Sequence, residues 1–179
     1  MLIRRASHAD LEAITAIYNE VISNSDAIYR ESPVPVSERI EWFETKINNG
    51  YPVLVATESD QVVGYGVYGN FRFGEGYNHT VEHSVHVRAD KRGQGIGKAM
   101  LAELISIATA ENRHVMVAAI DSKNLGSISL HAHYGFVESA RMPEVARKNG
   151  GALTLVLMQK ILSWELLPDS VGKTQPNVI

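Results

Sequence analysis

Arg92-Gly93-Gln94-Gly95-Ile96-Gly97 is a glycine-rich hexapeptide that lies between a β-rich run ending at Val87 and an apolar helical stripe beginning near Gly97. Glycine has no Cβ, so the backbone N–H groups of such a loop can approach an anion closely. The following helix directs its positive dipole end and its unpaired N–H groups toward the same point. The sequence therefore predicts a site for a phosphate or pyrophosphate group.

Two common phosphate-binding loops do not match this spacing. A P-loop requires glycine where Arg92 stands and serine or threonine where Ala99 stands. A dinucleotide-binding fingerprint has a wider gap between its last two glycines than the single residue that separates Gly95 from Gly97. Two interpretations remain open at this point: another anion-binding loop, of the form R-x-x-G-x-G, or a glycine-rich turn that binds nothing.

Hydrophobic periodicity predicts the elements on both sides of this loop. Ser7 and Asp10 form a capping-box pattern before one helix, and Ser37 is the predicted cap of a second helix. Two more helices are predicted from Gly97 and at residues 124–134. Strands are predicted at residues 2–4, 52–56, 62–68, 80–87, 115–120, 135–137 and 152–158, which gives the order β-α-α-β-β-β-α-β-α-β-β.

The strand predicted at residues 80–87 has one apolar face and one polar face. Successive side chains of a strand point to opposite sides of a sheet. The polar face is therefore free to meet a ligand. Ideal pleating places Val81, His83, Val85 and Val87 on one face and Glu82, Ser84 and His86 on the other.

Length and composition limit the organisation of the chain and its partners. The 179 residues support one hydrophobic core, so we expect one domain at residues 1–162 and a loosely held polar extension at 163–179. A net charge of −3 without a basic face argues against nucleic acid as a partner. No run approaches the ~18 apolar residues of a membrane span, and the start lacks a signal-peptide pattern. We therefore expect a cytoplasmic protein with no membrane partner.

The cysteine and histidine content narrows the chemistry. The chain has no cysteine, which excludes disulfides, thiolate metal sites and a cysteine acyl-enzyme. Histidines cluster in two places, but His83 and His86 fall on opposite strand faces, and His131 and His133 point about 200° apart on a helix. We therefore expect no metal.

The R-x-x-G-x-G pattern of Arg92, Gly95 and Gly97 resembles the acetyl-CoA pyrophosphate loop of the GNAT acetyltransferases. Downstream, Asn124 and Gly135-Phe136 have the spacing of a second GNAT motif, with His131 where the family usually has tyrosine. The resemblance implies acetyl-CoA as co-substrate and the GNAT fold, an α/β (α+β) fold whose mixed central sheet has about seven strands with four helices. The positions that it implies for acetyl-CoA are Val85, His86, Val87, Arg92, Gly93, Gln94, Gly95, Ile96, Gly97, Lys98, Asn124 and Ser127.

Further stretches at residues 80–85, 114–118 and 127–131 are similar to phosphinothricin and methionine-sulfoximine N-acetyltransferases, and the match spans residues 2–160. At residues 149–154 this chain lacks the aromatic and the Arg-Trp-Leu-Asp run usual in that branch. The resemblance implies acetylation of the α-amine of a small amino acid or analogue, of the phosphinothricin, methionine sulfoximine or methionine sulfone type. It also implies a homodimer.

Direct transfer of an acetyl group to an amine requires a base, because only the free amine attacks a thioester. Glu82 is the best-placed carboxylate, and burial beside the cofactor would raise its pKa. A backbone N–H between Val85 and Val87 could stabilise the developing oxyanion. His131 could protonate the departing thiolate, because an imidazolium titrates near neutrality.

A bidentate guanidinium is the best partner for a substrate carboxylate, and Arg72 is the candidate. By resemblance Tyr29, Glu75, Gly76 and Tyr77 belong to the same substrate pocket. Two alternatives to a small-molecule enzyme remain. One is acetylation of a peptide N-terminus or a protein lysine, for which an open acidic groove is expected. The other is a non-catalytic acetyl-CoA sensor, against which the presence of Glu82 argues.

Overall fold

The computed structural model describes residues 1–162, and these residues form one seven-stranded sheet with four α-helices. The predicted fold class and the predicted order of elements are both confirmed. The predicted extension at 163–179 lies outside the described residues. The elements are β1 (Leu2–Arg5), α1 (Leu11–Asn24), α2 (Val36–Asn48), β2 (Val53–Glu58), β3 (Gln61–Asn70), β4 (Thr80–Val87), α3 (Ile96–Ala110), β5 (Val115–Asp121), α4 (Leu125–His133), β6 (Val137–Lys148) and β7 (Gly151–Ile161).

The first two helices begin as local sequence rules require, with one difference. The Ser7–Asp10 capping box is present, and Asp10 also accepts two hydrogen bonds from the Arg4 guanidinium, which lowers the pKa of Asp10 to about 2. The predicted cap of α2 at Ser37 is wrong, because that helix begins at Val36 with Pro35 as its N-cap. The extended backbone of Pro35, at φ −74 and ψ 158, sets the boundary earlier.

The sheet has the strand order β1-β2-β3-β4-β5-β7-β6 and is antiparallel except where β4 pairs with β5. One core packs α3 against the face of β4 that carries Val81. A second core packs α1 and α2 against Tyr65 and Val67 on the other face. Glu82 and His86 therefore project toward the α1–α2 side, as the predicted alternation requires.

The parallel pair β4–β5 is joined over only half of β4. Its register runs from Thr80 opposite Val115 to His83 opposite Ala118, and no pairing follows from Ser84 to Val87. On its other side β4 stays paired with β3 along its whole length. The two central strands thus separate and leave an opening in the middle of the sheet.

The last two strands form a long hairpin, in which β6 begins within the predicted start at residues 135–137 and β7 is longer than the predicted 152–158. β6 extends from Val137 to Lys148, and β7 returns from Gly151. Asn149 and Gly150 make the turn with φ values of 49° and 78°, the left-handed conformations that a two-residue type I′ turn requires. Residues 149–151, where the chain departs from its branch, therefore encode a tight turn.

Within residues 1–162, no helix has the length and apolar character needed to cross a membrane.

Candidate active site

A cavity of about 860 Å³ occupies the opening between β4 and β5. Its walls come from both central strands, from the glycine-rich loop before α3, from the first turns of α4 and from the α1–α2 connection. Of the predicted acetyl-CoA positions, all except Gln94 line it. The Gln94 side chain instead donates a hydrogen bond to the backbone carbonyl of Asp90.

The glycine-rich loop has the shape of an anion cradle. Gly93 and Gly95 line the cavity with φ values of 75° and 84°, and a Cβ placed on either would meet no described atom within 4 Å. Gly95 is the N-cap of α3, so the unpaired N–H groups of the first helical turn face the same space. The Arg92 Nε donates to the Val87 carbonyl and ties the loop to the end of β4. These features fit the pyrophosphate of acetyl-CoA.

The register of β4 shows where its free N–H groups point. Arg88 N–H donates to Val63 and Phe71 N–H donates to the carbonyl of Thr80, which fixes the hydrogen-bonded pairs between β3 and β4. Because these pairs alternate, the N–H groups of Val85 and Val87 face β5, where β4 has no partner strand. The Val85 N–H therefore points into the cavity, as an oxyanion donor must.

Asn124 forms the start of α4 at the opposite wall. Its side-chain oxygen accepts a hydrogen bond from the Ser127 N–H, which is the usual N-cap contact. This bond uses the oxygen and leaves the amide N–H groups of Asn124 available to a ligand in the cavity. Ser127 lines the same wall.

Glu82 lies on the cavity wall with two cations nearby. Burial raises the pKa of its carboxyl, and the positive charges of Lys46 and Arg72 oppose that rise. The ammonium of Lys46 lies over the backbone of Gly69, the cross-strand partner of Glu82, so close that a Cβ at Gly69 would be 2.1 Å from its Nζ. Within residues 1–162 this ammonium forms no ion pair or hydrogen bond. Burial lowers the pKa of Lys46.

The expectation that His131 titrates near neutrality as a free imidazolium, which was the reason for predicting it as a proton donor, is wrong. Its ring is buried, and burial lowers its pKa, so the imidazolium is not the dominant form near neutrality. Nδ1 donates to the Ser127 carbonyl at 2.7 Å, and Nε2 lies 3.2 Å from Nε2 of His83. Neutral His131 therefore accepts from the His83 N–H, and Nδ1 of His83 has no hydrogen-bond partner among residues 1–162. Burial lowers the pKa of His83 to about 3.

The histidines of β4 face different surroundings. His83 packs against His131 and Phe136 on the α3–α4 side, whereas His86 contacts Tyr65 and Tyr18 on the α1–α2 side. Burial lowers the pKa of His86 to about 4. No set of His, Asp and Glu side chains in the described chain could hold a metal ion.

The predicted substrate residues fall into two groups. Tyr29 lines the cavity and donates hydrogen bonds to Asp121 at 3.0 Å and to the Thr154 carbonyl at 3.3 Å. Arg72, Glu75, Gly76 and Tyr77 lie instead on an exposed loop and do not line the cavity, so the structure does not bring them together with Tyr29 in one pocket. The Cζ of Arg72 lies 5.1 Å from the centre of the Phe71 ring. Its positive charge acts on the Glu82 carboxyl and opposes the rise in the pKa of that group.

An opening between parallel strands, beside a glycine-rich anion cradle, defines an acetyl-CoA-dependent acetyltransferase. The chain matches a family model described as an acetyltransferase (GNAT) domain over residues 3–153. It therefore belongs to the GNAT acetyltransferase family and uses acetyl-CoA as its co-substrate.

Several relatives are similar over nearly their whole length. A methionine sulfoximine/methionine sulfone acetyltransferase of Pseudomonas aeruginosa is 49% identical over 88% of this chain and 92% of its own. The structure of a phosphinothricin acetyltransferase from Sinorhizobium meliloti in complex with acetyl-CoA is 35% identical, with a TM-score of 0.87 over 99% of this chain and 94% of that one. The structure of a ribosomal-protein-alanine N-acetyltransferase from Brucella melitensis is 46% identical, with a TM-score of 0.89 over 90% of this chain and 99% of that one.

Sequence reasoning missed three residues of the site. Lys46 lies on the partly buried face of α2, where a lysine reads as an ordinary solvated charge. Asp121 and His83 gain their partners from residues 92 and 48 positions away, respectively. Only the position of Asp121, at the carboxyl end of a buried strand, could have been noticed beforehand.

Proposed function

We propose that this enzyme transfers the acetyl group of acetyl-CoA to the α-amine of a free amino acid or amino-acid analogue. The observation that carries the proposal is the position of Glu82, which lies on the cavity wall and on the same strand, β4, as the free Val85 N–H. A base and an oxyanion donor thus lie on one strand, beside the acetyl-CoA cradle. Similarity to the methionine sulfoximine/methionine sulfone and phosphinothricin acetyltransferases supports this substrate class.

Glu82 receives protons from the substrate in this mechanism, directly or through a water. The α-ammonium gives up one proton so that its lone pair can attack, and a second after the new C–N bond has formed. As the C–S bond breaks, the sulfur of CoA takes up one proton and the other leaves to solvent. Acetyl-CoA supplies the activated acetyl group. The chain has no cysteine that could form an acyl-enzyme, which favours direct transfer within a complex that holds both substrates.

The Val85 N–H stabilises the negative charge that develops on the acetyl oxygen. Neutral His131 belongs to the wall near the departing sulfur, with its Nε2 engaged by His83.

Arg72 is proposed to bind the substrate carboxylate, with Tyr29, Glu75, Gly76 and Tyr77 around the same substrate. Arg72 and Lys46 make the surroundings of Glu82 positive, which suits a substrate that carries a carboxylate close to its amine. The exposed loop must then move toward Glu82 or be covered when substrate binds.

Replacing Arg72 by alanine is expected to lower kcat/KM for free amino acids by about 10- to 100-fold, because a charge-assisted hydrogen bond is lost. The matching carboxamides are expected to change little. The measurement is release of free CoA with methionine sulfone, methionine sulfoximine, phosphinothricin and their amides. Equal losses for acid and amide would show that Arg72 does not bind the carboxylate. An absence of turnover with every amino acid in this set would contradict the substrate class.

Acetylation of a protein N-terminus is a second candidate, favoured by the exposed loop at residues 71–79 and by similarity to the Brucella melitensis enzyme. Peptides beginning with alanine, run beside the amino acids, separate the two: a higher kcat/KM for the peptides would make the protein substrate the correct one. A catalytically silent acetyl-CoA sensor would release no CoA with either set.

We further propose a homodimer of two-fold symmetry formed by a single catalytic domain at residues 1–162. The edge strand β6 supports this, because Val137, Met142 and Val145 are 62%, 40% and 46% exposed. Light scattering is expected to give twice the 19.7 kDa of one chain, and a monomer at micromolar concentration would contradict it.

The net charge of −3 supports a partner other than nucleic acid, and the need for acetyl-CoA supports a cytoplasmic location without a membrane partner.

A further inference from the structure

Lys148 is a buried lysine at the end of β6 whose ammonium has a complete set of backbone acceptors. Only 4% of the residue is exposed. Its Nζ donates to the carbonyls of Ile22, Ser25 and Ile28 at 2.7, 2.5 and 3.0 Å. An ammonium has three N–H donors, so each one is used. The lysine therefore joins the end of α1 to the segment that follows it.

The segment at residues 25–31, which we call the connecting segment, has further contacts with the same part of the sheet. The backbone N–H of Asn149 donates to the Glu31 carboxylate at 2.9 Å. Tyr29 donates to Asp121 on β5 and to the Thr154 carbonyl on β7. The β6–β7 hairpin and β5 therefore contact the connecting segment near both of its ends and in its middle.

The connecting segment is a wall of the acetyl-CoA cavity. Ala27, Ile28 and Tyr29 line that cavity. The segment lies between α1 and α2, which pack on the sheet face from which Glu82 projects. It therefore borders the side of the cavity from which an amine reaches Glu82.

We propose that Lys148 is a positioning residue for the acetyl transfer, which holds the connecting segment, and with it Tyr29, in place around the amine substrate. The proposal rests on amino-acid acetylation as the proposed function. It follows from the three hydrogen bonds that this one buried side chain makes to the carbonyls of Ile22, Ser25 and Ile28. Without Lys148 these carbonyls lose their donor, and the segment gains alternative conformations that must be ordered again when substrate binds.

Replacing Lys148 by methionine keeps the length and removes the three donors. We expect KM for the amine substrate to rise about tenfold or more, while kcat and the affinity for acetyl-CoA change less than about threefold. Hydrogen exchange of the amides at residues 25–31 is expected to accelerate while that of α3 does not. The exchange measurement needs no turnover, so it tests the position of the segment even where the proposed substrate class is wrong.

Arg4→Met is the matched control, because it breaks the Arg4–Asp10 ion pair and leaves Asp10 without its guanidinium, far from the cavity. It is expected to lower the melting temperature without raising KM. Where Lys148→Met does not fold, Glu31→Ala removes the contact with Asn149 from an exposed residue and is expected to raise KM about two- to threefold. The proposal is overturned if Lys148→Met and Glu31→Ala both behave as Arg4→Met does, with lower stability and with unchanged KM and unchanged hydrogen exchange at residues 25–31.

Discussion

Glu82→Gln is expected to lower kcat by about 10²-fold or more, because glutamine keeps the shape of the side chain and cannot accept a proton. Glu82 must be ionised to act as a base, so activity of the normal enzyme falls as the pH drops through the pKa of this carboxyl. Burial raises that pKa, which moves the acidic limb of the pH profile upward from where an exposed glutamate would place it. The variant is expected to lose this limb.

The measurement is kcat and kcat/KM between pH 5 and 9, with acetyl-CoA affinity determined by calorimetry. Glu103→Gln, at an exposed position of α3, is the control for loss of a carboxylate and is expected to leave the profile unchanged. An acidic limb that persists in Glu82→Gln would assign the base to another group and leave Glu82 a structural role.

Gly95→Val is expected to abolish measurable acetyl-CoA binding while the protein stays folded. Gly95 lines the cavity, so the added side chain is expected to intrude where the backbone N–H groups must approach the pyrophosphate. It would also force a β-branched residue to a φ of 84°, which costs stability on its own. Calorimetry with acetyl-CoA measures the first effect, and a melting curve measures the second.

Gly50→Val separates these effects, because Gly50 has a φ of 75°, has equally open space around it, and lies away from the cavity. Both variants are expected to lower the melting temperature, and only Gly95→Val is expected to lose acetyl-CoA. Unchanged affinity in a folded Gly95→Val protein would exclude this loop from pyrophosphate binding.

The sequence predicts the fold and the cofactor side of the site because both depend on local patterns. The loop glycines directly precede α3, which lets an anion approach the N–H groups of its first turn. Strand alternation places Glu82 and His83 on opposite faces of the sheet. The capping box at Ser7 is equally local. Each of these features is set by residues within a few positions of one another.

The substrate side could not be predicted in the same way, because its contacts join distant parts of the chain. The ammonium of Lys46 lies at Gly69, the cross-strand partner of Glu82, and Lys148 reaches Ser25 across 123 positions. The imidazolium expected at His131 was based on the free side chain, whereas its pKa depends on burial beside His83. Arg72 is predicted to bind a substrate carboxylate from the loop that leads into β4, yet that loop is exposed.

The separation of β4 from β5 couples the stability of the folded chain to the binding of acetyl-CoA. Backbone groups of Val85 and Val87 that an ordinary sheet would pair internally are left for acetyl-CoA to satisfy. A molecule that binds only the folded chain stabilises it by about 2.7 kcal/mol at 100 times its Kd. Saturating acetyl-CoA is therefore expected to raise the melting temperature of the protein.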